Sequence, residues 1–164
     1  MRSFRFSWLI AAFMIAALSG CYSFRGQSAG AIKSIAIPTF ENESTEFGLA
    51  ERVTQQLSDA FRTDGTLRIT SEDQADAILH GRVLRVEDLP YTASANQTVE
   101  EYRFSMTCQI ELLDTKTQTP IWSQNNTEWA IYPYTGQMAD RDQGIQEAVN
   151  KLQADILNRI VGSW

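Results

Sequence analysis

Two cysteines, one histidine and a knot of acidic side chains are the residues here whose chemistry could go beyond packing. His80 stands alone, with no second histidine and no spaced cysteine cluster to share a metal ion. It falls inside an apolar stretch that reads as a strand, so a local hydrogen bond is expected of it rather than base catalysis. Glu72, Asp73 and Asp76 crowd together without the ligand spacing and central glycine of a calcium loop, and read as a solvated turn. A glycine-rich phosphate loop and a Gly-x-Ser-x-Gly elbow are both missing. The sequence therefore offers no catalytic residue, no metal site and no cofactor. The chain is expected not to be an enzyme.

Cys21 differs because of what precedes it. Residues 1–6 carry Arg2 and Arg5, and Trp8 to Leu18 is an uncharged apolar run. Such a basic segment followed by a short apolar one is an export signal, too short for a permanent transmembrane helix. Ser19 and Gly20 are small enough for a narrow protease cleft, and Cys21 supplies a thiol. Leu18-Ser19-Gly20-Cys21 resembles the lipobox of bacterial lipoproteins. That resemblance implies a signal peptide over 1–20, cleavage before Cys21, and diacylglycerol and palmitate attached at that residue. Tyr22, in place of an aspartate, is similar to the sorting signal that sends enteric lipoproteins to the outer membrane. Several acyl chains, at roughly 0.8 kcal/mol per buried methylene, hold a protein firmly to a membrane.

Removing residues 1–20 from the 164 leaves 144, the size of one domain. Arg2 and Arg5 go with them, leaving 12 basic against 20 acidic side chains and a formal charge of −8. An acidic domain of this kind is expected to bind no nucleic acid, because nonspecific binding rests on neutralising phosphates. With Cys21 acylated, Cys108 has no partner for an internal disulfide and is expected to be a buried small hydrophobe.

Residues 21–31 are small and polar and read as the lipidated tether, with the folded domain over 32–164. Residues 33–40 suggest a strand ended near Pro38, and Leu49, Val53, Leu57 and Phe61 recur at helical spacing up to Asp64-Gly65. Leu67 and Ile69 mark a short strand. Residues 77–89 read as a long one whose apolar parity switches, Leu79 and Val83 on one face and Leu84 and Val86 on the other. A bulge or burial on both sides would explain the switch. Tyr102 to Leu112 alternates strictly, one face apolar and one polar. Its partner strand over 120–131 is polar from Ser123 to Glu128. Residues 132–140 read as a loop, with Tyr132 and Tyr134 as candidate interface aromatics beside Pro133 and Gly136. A final helix runs from about Arg141 to Val161. The order β-α-β-β-β-β-α predicts an α+β two-layer sandwich, two helices packed on one face of a mixed four- to five-stranded sheet.

Several short segments resemble one family. They are Gly20-Cys21-Tyr22-Ser23-Phe24, Ile35-Ala36-Ile37-Pro38-Thr39-Phe40-Glu41-Asn42, Ala75-Asp76-Ala77-Ile78-Leu79-His80-Gly81 and Glu101-Tyr102-Arg103, followed by the C-terminal amphipathic helix. Together they are similar to the LptE family of lipopolysaccharide-assembly lipoproteins, in its form outside the enteric bacteria. The resemblance implies an outer-membrane lipoprotein that plugs the LptD β-barrel, partners it in lipopolysaccharide transport and faces the periplasm or the barrel lumen. It also implies a basic contact for lipopolysaccharide phosphates. Arg141 is the positional match and Arg103, outward on its strand, a second candidate. The alternative is a periplasm-facing lipoprotein regulator of a cell-wall synthase. Replacing Cys21 with serine is expected to leave full-length, unacylated precursor; intact mass and palmitate labelling report it.

Overall fold

Beneath the strict alternation of residues 102–112 lies a long strand paired on both sides, at the centre of the antiparallel meander. The computed structural model describes residues 32–96 and 98–162; the expected signal peptide, Cys21 and the expected tether lie outside the described residues. Its elements run β1 (Ser34–Ala36), β2 (Glu41–Asn42), α1 (Leu49–Asp64), β3 (Arg68–Ile69), β4 (Ala77–Ala93), β5 (Val99–Asp114), β6 (Thr119–Pro133) and α2 (Met138–Val161). The strands form one sheet in the order β3-β1-β4-β5-β6, with β2 beside β4. β1 is parallel to β3 and β4, whereas β4, β5 and β6 form an antiparallel meander. This is the expected α+β sandwich with one strand more. The first strand stops at Ala36, and the chain passes Pro38, which cannot donate to a ladder, before rejoining β4 at Glu41–Asn42.

Both helices lie on one face of the sheet. β5 sends Phe104, Met106, Cys108, Ile110 and Leu112 to that side, where all are buried. α1 answers with Leu49, Val53, Leu57 and Phe61, and α2 with Ile145, Val149, Leu152, Ile156 and Ile160. Each such side chain contributes about 1.5–3 kcal/mol when fully buried. α1 ends on Gly65, as expected, in a left-handed conformation at φ 71° that donates its amide to the Phe61 carbonyl. Cys108 is buried, and that burial pushes its thiol up to about 12.

The parity switch in β4 is a bulge. Val83 pairs with Cys108 and Arg85 with Thr107, leaving Leu84 as the extra residue. The slip turns Val86 back toward the core, against which it packs. β4 also runs to Ala93 rather than Leu89, paired with β5 at Pro90, Thr92 and Ala93 across two further register shifts.

Two contacts join β1 and its extension to β4. A Cβ built on Gly81 would lie 2.0–2.2 Å from the ring of Phe40, so only glycine lets that buried ring lie on the strand. Further along, the Ser34 hydroxyl donates to Asp76 Oδ2 at 2.9 Å and accepts from the Asp76 amide at 3.0 Å. The Lys33 amide and the Lys116 ammonium each donate to the same carboxylate at 3.1 Å. Asp76 is therefore tied into the β1–β4 joint, while Glu72 and Asp73 are exposed as a turn should be.

Gly81→Ala is expected to cost about 1–3 kcal/mol by overpacking, and less when combined with Phe40→Leu; urea denaturation measures both. The Lys33 amide first, then Lys116 and Ser34, lower the Asp76 carboxyl to about 2 from an ordinary 3.8. A depressed carboxylate stabilises the fold above its unfolded value and loses that contribution as pH falls toward the folded one. The stability gap between the native chain and Asp76→Asn is thus expected to narrow from pH 4 to pH 2, followed by denaturation at each pH.

Candidate functional site

One face of the meander has no helix on it. Cross-strand register sets its side chains in rows: His80, Glu111 and Ser123; Arg82, Gln109 and Asn125; Arg85, Thr107 and Thr127; Glu87, Ser105 and Trp129; Leu89, Arg103 and Ile131. The middle of the face is hydroxyl and amide, with the Thr107 and Thr127 hydroxyls 3.0 Å apart. Arg82 is paired with Glu41 at 2.8 Å and Glu43 at 3.3 Å, and Arg85 lies 3.6 Å from Glu87. A shallow pocket of about 370 Å³ at one end is lined by His80, Glu111, Arg82 and Glu41 among others. It brings a single imidazole beside carboxylates, and no cluster able to hold a metal ion is found among the described residues.

Arg103 occupies a different setting. It sits in the central strand between Leu89 and Ile131, and it forms no ion pair among the described residues. Its Nε is shielded from solvent without a hydrogen-bond partner. Leu89 and the neighbouring Trp129 are each more than two-fifths exposed. An unpaired guanidinium flanked by apolar side chains suits an anion that carries hydrocarbon.

Arg141 faces the other way, into the seam between helices and sheet. Its two terminal nitrogens fork onto Glu46 at 3.0 and 2.8 Å, and its Nε donates to Asp88 at 3.0 Å. Asp88 also accepts the Tyr132 hydroxyl at 2.8 Å, and the guanidinium lies 5.5 Å from the centre of the Phe104 ring. Glu46, and then Asp88, hold Arg141 still more firmly in its charged form. One side chain thus ties the start of α2, the loop before α1 and the far half of β4. Partners 95 and 53 residues away in sequence gave no local signal.

Two expectations for 132–140 change. Tyr132 is not in a loop: it closes β6 and is buried, stacked on Tyr102 with ring centres 5.9 Å apart. Burial, then the bond to Asp88, push its phenol above the ordinary range. Gly144 lets the ring approach, since a Cβ there would meet it at 2.7 Å. Tyr134 is exposed and edge-on to Tyr102 at 5.1 Å. α2 starts at Met138, three residues before the expected Arg141, because Asp140 accepts the Thr135 amide and hydroxyl and fastens its first turn. Trp122 and Trp129 each lie under a cation from α2, Arg159 at 5.4 Å and Lys151 at 5.0 Å.

Arg141→Met leaves the Glu46 and Asp88 carboxylates without their charged donor. With 35% of the Arg141 side chain exposed, solvent offsets part of that loss. Thermal or urea unfolding is expected to show about 1–3 kcal/mol of destabilisation. Arg141→Lys should recover less than half, because an ammonium cannot make the fork.

Among solved structures, the chain is similar to a protein of Xanthomonas campestris at 12% identity and a TM-score of 0.60, covering 78% of this chain and 84% of that one. It is similar to the PelC dodecamer subunit of Paraburkholderia phytofirmans at 18% identity and 0.50, covering 76% and 86%. A minor lipoprotein of Acinetobacter baumannii matches at 16% and 0.50, covering 78% and 90%. These likenesses establish the fold. No curated protein matches the sequence. The family described as LptE, lipopolysaccharide-assembly, matches residues 32–162, which takes in all of the sheet and both helices, and the chain belongs to that family.

Proposed function

We propose that this chain is an outer-membrane lipoprotein, anchored through Cys21, that plugs and assembles with an LptD-type β-barrel. In that role it serves the transport of lipopolysaccharide and its insertion at the cell surface, without catalysing a reaction. Family membership over residues 32–162 supports the assembly role. The observation that carries the rest is the uncovered sheet face. Its central rows of threonine, serine, glutamine and asparagine stay wetted without cost, and the interior of a large membrane barrel is itself polar.

Lipopolysaccharide brings phosphates and acyl chains together, and the setting of Arg103 supports a contact with both. Arg141 is the weaker candidate, since binding a phosphate would require it to release Glu46 and Asp88. Tyr134, rather than buried Tyr132, is the aromatic free to meet a partner.

Depleting the protein is expected to lower surface lipopolysaccharide and leave the barrel immature; normal levels of both would overturn the proposal. Arg103→Ala should weaken retention of lipopolysaccharide by the purified chain about tenfold, the worth of one charged contact near 1.4 kcal/mol. Unchanged thermal unfolding would show that the loss is not one of folding.

A further inference from the structure

The two ends of the molecule differ in what they expose. β1 enters the sheet parallel to the first residues of β4, through Ile35 beside Ala77, which sets β1 at that end of the molecule. The turn after β5 lies there too, with the Thr115 amide on the Asp76 carbonyl. So do the final turns of both helices: the loop after α1 returns to Lys33, and Arg159 covers Trp122.

At the opposite end both helices begin, joined by Arg141 and Glu46. Four large apolar side chains project here. Phe47, next to Glu46, is fully exposed; Met138, first in α2, is 93% exposed; Tyr134 and Tyr91 are more than half exposed. None belongs to the core. A single exposed hydrophobe is ordinary on a protein surface, but aromatics and methionine grouped at one end match the composition of interface cores. The surrounding charge is negative. Glu51, Glu100 and Asp140 form no ion pair among the described residues, whereas Arg52 and Arg141 are engaged by Asp142, Glu46 and Asp88.

We propose that Phe47, Tyr91, Tyr134 and Met138 form a docking surface for a protein whose contact patch is apolar and ringed by lysine or arginine. The inference rests on the reading of the chain as a barrel subunit, and takes the barrel as that protein. The acidic rim selects protein over lipid, because anionic headgroups would repel it. This surface lies most of the length of β5, a strand of 16 residues and about 50 Å, from the end where β1 joins β4.

The test places a photoreactive side chain in the full acylated protein at Phe47, at Met138 and, on the opposite end, at Thr117, then irradiates cells. Adducts with the barrel are expected from Phe47 and Met138 and not from Thr117. The pair Phe47→Ser and Met138→Ser should reduce barrel recovered with the chain about tenfold, with acylation and thermal unfolding unchanged. Barrel adducts from Thr117 alone would overturn the docking end while leaving the proposed function standing. Lipid adducts at Phe47 and Met138 would overturn the choice of a protein partner. Absence of any barrel adduct, with no barrel recovered by the unsubstituted chain, would overturn both readings.

Discussion

β5 carries Phe104, Met106, Cys108, Ile110 and Leu112 to one side, and both helices lie over the apolar surface to which that strip is central. Because the meander is covered on that side alone, the alternate residues of β4, β5 and β6 must live in contact with water or a partner. Their chemistry follows: amides and hydroxyls in the middle, ion pairs near Arg82, and one unpaired arginine among Leu89, Trp129 and Ile131. A second layer of helices would have buried that face. Its exposure leaves it free to meet solvent or a partner.

Two of the segments that carry the family resemblance, 35–42 and 75–81, prove to be packing determinants. Phe40, from the Pro-Thr-Phe-Glu-Asn stretch, lies on Gly81, from the Ala-Asp-Ala-Ile-Leu-His-Gly stretch. Asp76 of the latter accepts from Ser34, just before the former. Each segment fits the other, so both report how β1 and β2 dock on β4 and neither reports what the protein binds. Tyr102 does the same work at the far end, stacking on Tyr132 and meeting Tyr134 edge-on. Arg103 and the pocket-lining Glu41 and His80 are among the members of these segments that remain open to ligands.

Local periodicity made the regular elements legible. Strict alternation identified β5, and the spacing of Leu49, Val53, Leu57 and Phe61 identified α1 with its glycine stop. The parity switch in β4 left two explanations, because side-chain order alone cannot distinguish an extra residue from burial on both faces; pairing with Cys108 and Thr107 does. The polar middle of β6 hid the fact that Tyr132 continues the strand into the core, held by Asp88 across the sheet. Glu46, Asp88 and Arg141 were illegible as a group for a simple reason. Charges so far apart in sequence meet only once the helices have docked. The four exposed apolar residues at the helix starts were equally hidden, since exposure is a property of the folded surface.

The central claim is that a chain with one dry and one wet sheet face exists to be completed by a membrane barrel. The most direct measurement is affinity purification of the tagged, acylated chain from detergent-solubilised envelopes, with the mass and stoichiometry of whatever accompanies it. The account predicts a large outer-membrane β-barrel recovered in a one-to-one ratio. Recovery of the chain alone, or with a cell-wall synthase and no barrel, would contradict it.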